Sequence, residues 1–199
     1  MWLWRKLSCL TIFFTGLHEL KNIDFNCNYF ELFGLPVSFK INLVLLESRY
    51  RELQFKFHPD RYTRSTPQEQ NLAVQYVSLI NQAYIELKSS LFRARYLLSL
   101  QDCNYLDDSN TLHDPVFLME QIEFRDELAD ICQSTDSSVA RGKLNQRVEK
   151  RYEQIKNKFQ DYFNQGNLKV ACETLAKLQF LDKFLTELKQ LDEELENFN

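Results

Sequence analysis

The residues of this chain with the clearest chemical potential are a histidine, a proline and an aspartate in succession, His58-Pro59-Asp60, called the HPD loop below. A histidine that is oriented by a carboxylate can act as a general base in an enzyme. No nucleophile, oxyanion site or pocket signature accompanies the pair, so we do not favour catalysis. A chance surface pair and a loop that contacts another protein are the other interpretations, and the surrounding elements decide between them.

Metal and cofactor sites are not expected elsewhere in the sequence. The five cysteines include no CxxC pair, and none of the three histidines has a second histidine or cysteine at metal-ligand spacing. The four glycines are too far apart for a phosphate-binding or dinucleotide-binding loop. We therefore predict no cofactor, and free buried thiols in a reducing compartment. The net charge of −4 gives no support for nucleic-acid binding.

Two predicted helices position the HPD loop. Asn42 can cap the first helix, whose apolar residues recur at helical spacing as far as Phe57. That helix stops there because proline cannot continue a helix interior and restricts the residue before it. Thr66-Pro67 and Glu69 form a capping box with proline at the first helical position, which starts the second helix. The HPD loop is then an exposed connector in an antiparallel helical hairpin.

Basic residues lie on both sides of the HPD loop. At about 100° per residue, Arg49 and Lys56 fall on one flank of the first helix. Arg61 and Arg64 continue the positive charge past the loop. A basic stripe alone is usually a solvated face, but beside an exposed HPD loop it favours a docking edge for an acidic partner.

Three further helices are predicted in the second half of the chain. Asp114-Pro115 provides a cap and a first-turn proline for a helix that runs to about Ile131. A polar turn leads to a long helix that Gly166 ends, and Asn167 can cap the last helix. A leucine stripe along the last helix is typical of the core of an antiparallel bundle. Because no segment shows convincing strand alternation, we predict an all-α fold, with a helical hairpin followed by a three-helix bundle.

The helix that begins at Pro115 is predicted to be apolar on two opposite faces. Its core face consists of Phe117 and the apolar residues within about 40° of it, Phe124, Leu128 and Ile131. At about 100° to 200° from Phe117 lie Leu118, Met119 and Ile122. Three acidic residues border this second face: Glu123, Asp126 and Asp130. Such a face is typical of a protein-recognition site, although packing against the first domain or the N-terminal segment would also bury it.

Residues 28–100 resemble the J-domain of DnaJ-type co-chaperones. The stretches that carry the resemblance are NYFELFGLP, FKFHPDRY and SLINQAYIELKS. The resemblance implies that His58, Pro59 and Asp60 dock on a DnaK-class chaperone and stimulate its ATP hydrolysis. It implies electrostatic help from Lys56 and Arg61, and no catalytic chemistry in the chain itself.

A more specific resemblance covers residues 28–199. RARYLLSL, FLMEQIEFRDEL and LQFLDKF, together with the HPD loop, resemble the HscB family of iron–sulfur-cluster co-chaperones. In that family the J-domain engages the chaperone HscA, and the acidic C-terminal domain binds the iron–sulfur scaffold protein IscU. The scaffold contacts that the resemblance implies are Leu118, Met119, Ile122, Glu123, Asp126, Asp130 and Phe180. Phe180 could instead be an ordinary core residue.

The expected function is that of an adaptor in iron–sulfur cluster biogenesis. It would deliver IscU to HscA, and ATP hydrolysis on HscA would promote cluster transfer to acceptor proteins. A J-domain co-chaperone with a different client is the alternative. The expected segments are an extension (residues 1–27), a J-domain (28–101), a connector (102–112) and a scaffold-binding helical bundle (113–199).

The extension belongs to no part of the family pattern. Its apolar run is too short to span a bilayer, so stable membrane insertion is not expected. A segment without function, an additional packing or membrane-surface helix, and a targeting segment are its three interpretations. Only Cys9 and Cys27 precede the J-domain, so the four-cysteine metal module of eukaryotic relatives is absent. This favours a bacterial-type protein of the cytoplasm over one of the mitochondrial matrix.

Overall fold

The computed structural model describes residues 25, 27–101, 103, 114–133 and 137–196. Within these ranges the chain forms α-helices and one 3₁₀ turn and no β-strand, which confirms the all-α prediction. The chain divides into two compact units, Met1–Leu97 and Leu98–Asn199. Most of the extension and all of the connector except Cys103 lie outside the described residues. The segment limits given above stay predictions.

The first unit contains a helical hairpin with a short helix before it and another after it. Its α-helices are α1 (Tyr29–Leu32), α2 (Leu43–Phe57), α3 (Pro67–Lys88) and α4 (Ser90–Ser99), and the 3₁₀ turn is Pro59–Tyr62.

The ends of the hairpin helices are set by local capping, as predicted. The side chain of Asn42 accepts a hydrogen bond from the Leu45 N–H at 3.1 Å and starts α2. At the start of α3, Thr66 accepts from the Glu69 N–H, and the Glu69 carboxylate accepts from the Thr66 N–H at 3.0 Å. Since α2 ends at Phe57, one residue before the HPD loop, the loop lies at the tip of the hairpin.

Aromatic contacts show that α2 and α3 run antiparallel. The rings of Tyr50 and Tyr84 stack 4.0 Å apart, whereas Phe57, later in α2, meets Tyr76, earlier in α3, at 4.6 Å. Spacings of four and three residues between Leu72, Tyr76, Leu79, Ala83 and Leu87 predict the inner face of α3, and this prediction is wrong in part. Ala73 and Ile80 are fully buried, whereas the expected core residues Leu72 and Leu79 are only half-buried.

Two polar side chains of α4, the half-buried Tyr96 and the buried Arg93, connect this helix to α1 and to α3. The Tyr96 hydroxyl of α4 accepts a hydrogen bond from the Tyr29 N–H of α1 at 2.9 Å, and burial raises the pKa of Tyr96 to about 12. The Arg93 guanidinium, from the RARY stretch, donates to the Leu87 carbonyl at 2.7 Å and so satisfies an acceptor in the last turn of α3. Tyr96 and Arg93 thereby stabilise the packing of the helices and are not part of a candidate site.

The second unit is a three-helix bundle, as predicted. Its helices are α5 (Pro115–Gln133), α6 (Ser137–Asn164) and α7 (Leu168–Glu196). The Phe117 ring of α5 meets Phe180 of α7 edge-on at 5.8 Å, and the Phe124 ring stacks on Phe184 at 5.8 Å. Since both rings advance in the same direction along the two helices, α5 and α7 are parallel and α6 returns between them.

The turn between α6 and α7 forms at the residues expected. Gly166 has a φ of +73°, a left-handed conformation that favours glycine, and its N–H donates to the Phe163 carbonyl at 3.0 Å. The Asn167 side chain accepts from the Val170 N–H at 3.4 Å and starts α7. Within the described part of the leucine stripe, Leu185 and Leu191 are half-buried, and Phe184 takes the core position beside Leu185. The buried members of the stripe are Leu175, Leu178, Leu181 and Leu188.

The four cysteines within the described residues are free, as predicted, but the prediction that they are buried is correct only for Cys103. Cys132 is exposed on α5, and Cys27 and Cys172 are half-buried. Burial raises the pKa of the Cys172 thiol to about 11.

Among the helices that the structure describes, none combines the length and the apolar character needed to cross a bilayer.

Candidate protein-binding sites

The HPD loop exposes its two titratable side chains. The His58 ring is 54% exposed and the Asp60 carboxylate 85% exposed, with His58 Nδ1 3.5 Å from Asp60 Oδ2. His58 Nδ1 also accepts the Asp60 N–H at 3.3 Å, which caps the 3₁₀ turn that Pro59 begins. With Nδ1 used as an acceptor, the neutral imidazole carries its proton on Nε2 and presents a donor. This arrangement suits contact with another protein better than proton abstraction, since the pair lies on an open surface.

Arg61 is held next to the HPD loop by uncharged groups. Its Nη1 donates to the Phe55 carbonyl at 3.3 Å, and its guanidinium lies 5.0 Å from the centre of the Phe55 ring. No carboxylate within the described residues neutralises Arg61, so its charge is offered to solvent or to a partner. Phe55 is 74% exposed on α2. Sequence reasoning did not single out this large apolar residue, although its exposure beside the HPD loop marks it as part of the surface.

The basic flank predicted on α2 is shorter than the sequence suggested. Arg49 forms an ion pair with Glu52 at 3.1 Å, and Arg51 forms one with Glu47 at 2.5 Å. These pairs lie one turn apart on the helix surface and cancel the charge of both arginines. The basic residues nearest the loop are Lys56, whose Nζ lies 5.4 Å from the centre of the Phe57 ring, and Arg61 and Arg64 after the loop.

Helix α5 has the two opposite apolar faces that the sequence predicts. Phe117, Phe124, Leu128 and Ile131 are all buried, at no more than 7% exposure. On the other face the exposed fractions are 44% for Leu118, 63% for Met119 and 53% for Ile122. This second face is an apolar surface in contact with solvent, of the kind that marks a protein-binding site.

Acidic residues border the exposed face as expected. Glu123, Asp126 and Asp130 are all exposed, and none of them forms an ion pair with another described residue. Their charges are thus available to a basic partner.

Phe180 lies between the alternatives that the sequence left open. The residue is half-buried, and its ring meets Phe117 edge-on and stacks on Phe184 at 6.1 Å. The Arg125 guanidinium of α5 lies 5.8 Å from the centre of the ring. Phe180 therefore packs α5 against α7 and still leaves part of its side chain accessible.

Val116 is a fourth exposed apolar residue of α5, and sequence reasoning missed it. Its side chain is 76% exposed, more than that of Leu118, Met119 or Ile122. At about 260° from Phe117 it lies just beyond the range of angles assigned to the second face. A range of helical angles that extended to about 260° from Phe117 would have included Val116 in the second face.

An ion pair and a cap hold the N-terminal turn of α5. Asp114 accepts hydrogen bonds from the Val116 and Phe117 N–H groups, each at 3.1 Å, and forms an ion pair with Lys177 of α7. The hydrogen bond from Lys177, together with that from the Phe117 N–H, lowers the pKa of Asp114 below its ordinary value of 3.8. The turn that carries Val116, Leu118 and Met119 is thereby fixed to α7.

Replacing Asp114 by asparagine tests that attachment. Asparagine keeps a capping acceptor but removes the charge that faces Lys177. Because the folded-state pKa of Asp114 is lowered, the ion pair stabilises the fold above the ordinary pKa, and this contribution is lost as the pH falls through the lowered value. We expect Asp114→Asn to unfold at lower urea concentration than wild type at neutral pH, and the difference to close in acid, as followed by circular dichroism.

Asp161→Asn is the matched control, because Asp161 is exposed on α6 and has no ion pair with a described residue. It should leave the urea midpoint unchanged at neutral pH. An equal loss for Asp114→Asn at both pH values would mean that the cap, and not the charge, is what matters.

Within the described residues, no group of three or more histidine, cysteine, aspartate or glutamate side chains could hold a metal ion. What the geometry provides is two exposed and chemically different surfaces, one on each compact unit.

Known proteins share this architecture. A family model described as the HSCB C-terminal oligomerisation domain matches residues 113–189. The co-chaperone protein HscB homolog of Vibrio vulnificus (strain YJ016) is 39% identical over 168 residues, which cover 84% of this chain and 98% of that protein. Chaperone HscB from Vibrio cholerae has a solved structure that matches with a TM-score of 0.76 and 37% identity, over 85% of this chain and 99% of that one. Human co-chaperone protein HscB matches with a TM-score of 0.79 and 25% identity, over 85% of this chain and 84% of that one.

The hairpin with its HPD loop, followed by a helical bundle, places the molecule among the J-domain co-chaperones. Its relatives are named co-chaperones rather than enzymes. The chain belongs to the HscB co-chaperone family. That membership supports a co-chaperone role in iron–sulfur cluster biogenesis.

Proposed function

We propose that this protein stimulates the ATPase of the DnaK-class chaperone HscA and delivers the scaffold protein IscU to it. ATP hydrolysis on HscA then promotes transfer of the cluster from IscU to acceptor proteins. The observation that carries the proposal is the presence of two exposed and chemically different surfaces on two compact units. One is the HPD loop, and the other is the apolar face of α5 with its acidic border.

The chaperone-facing surface consists of His58, Pro59 and Asp60, with Lys56 and Arg61 beside them. The 3₁₀ turn fixes the backbone of the loop, and the His58 Nε2 donor and the Asp60 carboxylate are exposed for contact. Arg61 is already held in place by the Phe55 carbonyl and ring, so less side-chain freedom is lost when it meets an acidic partner.

The scaffold-facing surface is the exposed side of α5 together with the free edge of the Phe180 ring. Its apolar centre is Leu118, Met119 and Ile122, and its charged border is Glu123, Asp126 and Asp130. An apolar centre with a charged border is the usual anatomy of a specific protein interface. The border selects a partner that carries basic residues around an apolar patch.

Binding of both partners to one chain accounts for delivery without any chemistry in the chain itself. A scaffold bound to one unit and a chaperone bound to the other are held at a high effective concentration relative to each other. The extension, J-domain, connector and bundle limits stated above form part of this proposal. Since the Vibrio vulnificus relative, at 39% identity, is bacterial, we place the protein in the bacterial cytoplasm.

The test is an ATPase assay of HscA with and without IscU and the full-length protein. The protein alone should raise the HscA rate, and protein with IscU should raise it by more than the two separate increments combined. Without HscA we expect no ATP turnover. The supra-additive increment is the signature of an adaptor, because it needs one chain to engage both partners.

Two results would change the proposal. Stimulation of HscA by the protein that IscU does not increase, together with recovery of HscA but not IscU in a pull-down, would indicate a J-domain co-chaperone with another client. ATP turnover by the protein in the absence of HscA would contradict the assignment as a co-chaperone without catalytic chemistry.

A further inference from the structure

A groove of about 680 Å³ runs between α5 and α6 beside the scaffold-facing surface. The buried ring of Phe124 lies at its floor. One wall carries carboxylates of α5, and the other carries cations of α6. The charged residues that line it are Glu120, Glu123, Glu127, Arg147, Lys150 and Arg151.

Two ion pairs cross the groove, and two further charged side chains that line it form no ion pair with a described residue. Arg151 meets Glu120 at 2.8 Å, and Arg147 pairs with Glu127 while its guanidinium lies 5.3 Å from the Phe124 ring. Glu123 and Lys150 line the same groove, but neither forms an ion pair with a described residue. Both side chains are exposed, so each charge is hydrated and available to a partner.

The groove is continuous with the scaffold-facing surface. Glu123 belongs to both, since it borders the apolar face of α5 and lines the groove wall. Val116, the most exposed apolar residue of α5, lies at a similar angle around the helix, about 20° from Glu123. The exposed apolar surface of α5 thus extends toward α6 instead of ending at Met119.

We propose that the scaffold-binding surface continues across this groove to Lys150 of α6, and that the scaffold presents a carboxylate to Lys150. This inference rests on the proposed function. A partner that covers the groove removes the Lys150 ammonium from water, and only an opposite charge on the partner offsets that loss of hydration. The partner therefore carries an acidic side chain facing α6, close to the basic side chains that meet the border of α5.

The experiment measures binding of purified IscU to the full-length protein by calorimetry at low and at high salt. Lys150→Gln removes the charge and Lys150→Glu reverses it. Lys169→Glu is the matched control, because Lys169 is an exposed lysine in the first turn of α7 and does not line the groove. Met119→Ala/Ile122→Ala reports separately on the α5 face.

At low salt we expect a Kd raised about threefold by Lys150→Gln and about tenfold by Lys150→Glu, as for one solvent-bordered ion pair lost or reversed. Both effects should shrink at high salt, and Lys169→Glu should bind like wild type. If Lys150→Glu binds like Lys169→Glu while the α5 double variant binds weakly, the inference fails and the proposed function stands. Tighter binding by Lys150→Gln would also overturn the inference, since the scaffold would then present a cation. Failure of the wild type to bind IscU would overturn the proposed function itself.

Discussion

His58→Gln is expected to return the HscA ATPase rate to its basal value while IscU binding stays unchanged. The imidazole is 54% exposed at the tip of the helical hairpin, with Nδ1 occupied by the Asp60 N–H and Nε2 left as the donor. Glutamine can replace the capping acceptor, so the loop keeps its backbone, but it cannot place a ring donor at the same point. The loss should not be recovered by adding more of the variant. Steady-state ATPase titrations and calorimetry with IscU measure the two effects.

Val44→Ala is the matched control for the hairpin surface. Val44 is 79% exposed at the opposite end of α2, about 21 Å of helix from His58. It should stimulate HscA like wild type. Full stimulation by His58→Gln would refute the assignment of the HPD loop, and loss of IscU affinity in that variant would show that the two surfaces are not separate.

Met119→Ala/Ile122→Ala is expected to raise the Kd for IscU about 100-fold without unfolding the bundle. The two side chains are 63% and 53% exposed in the free protein, so truncating them removes apolar area that only a partner buries. A cost of about 1.4 kcal/mol for each side chain gives the stated change in Kd. Alanine has a higher helix propensity than isoleucine, so the unfolding free energy should change by less than about 0.5 kcal/mol.

Two variants of the same bundle separate binding from folding. Val139→Ala removes a side chain of α6 that is 62% exposed, and it should affect neither binding nor melting. Phe124→Ala removes a side chain that is 4% exposed and should cost about 3 to 5 kcal/mol of stability. A melting curve of the double variant that resembles that of Phe124→Ala would assign Met119 and Ile122 to the core instead of to the interface.

Helix ends are the part of this fold that sequence reasoning predicts best. Asn42, Thr66, Asp114 and Gly166 each act within three residues of the helix end that they define. A capping interaction needs no knowledge of the rest of the molecule, so the residue types alone indicate it. Strong caps also explain why the four helix ends that these residues define lie so close to those predicted.

Core faces are predicted less well where a helix packs on several neighbours. Helix α3 contacts α1, α2 and the 3₁₀ turn, so its buried stripe is wider than one row of large residues. Leucines at Leu72 and Leu79 marked the edge of that stripe, and the small Ala73 marked its centre. Helical arithmetic worked for α5 because only one side of that helix packs within its bundle.

Charge pairing is the part of the candidate sites that could not be predicted. The Arg49–Glu52 pair has helical (i, i+3) spacing, so the sequence allows it without showing that it forms. The Arg151–Glu120 pair joins residues 31 positions apart, so it depends on the register of two packed helices. Which basic residues remain free near the HPD loop and the groove therefore follows only from the tertiary structure.

The two faces of α5 place independent selective pressures on one helix. None of the side chains that form its exposed face is also a core residue of the bundle. Partner preference can therefore drift or coevolve with a scaffold through Leu118, Met119 and Ile122, while Phe117 and Phe124 conserve the bundle. The same separation lets affinity be engineered in either direction without a compensating change in the core.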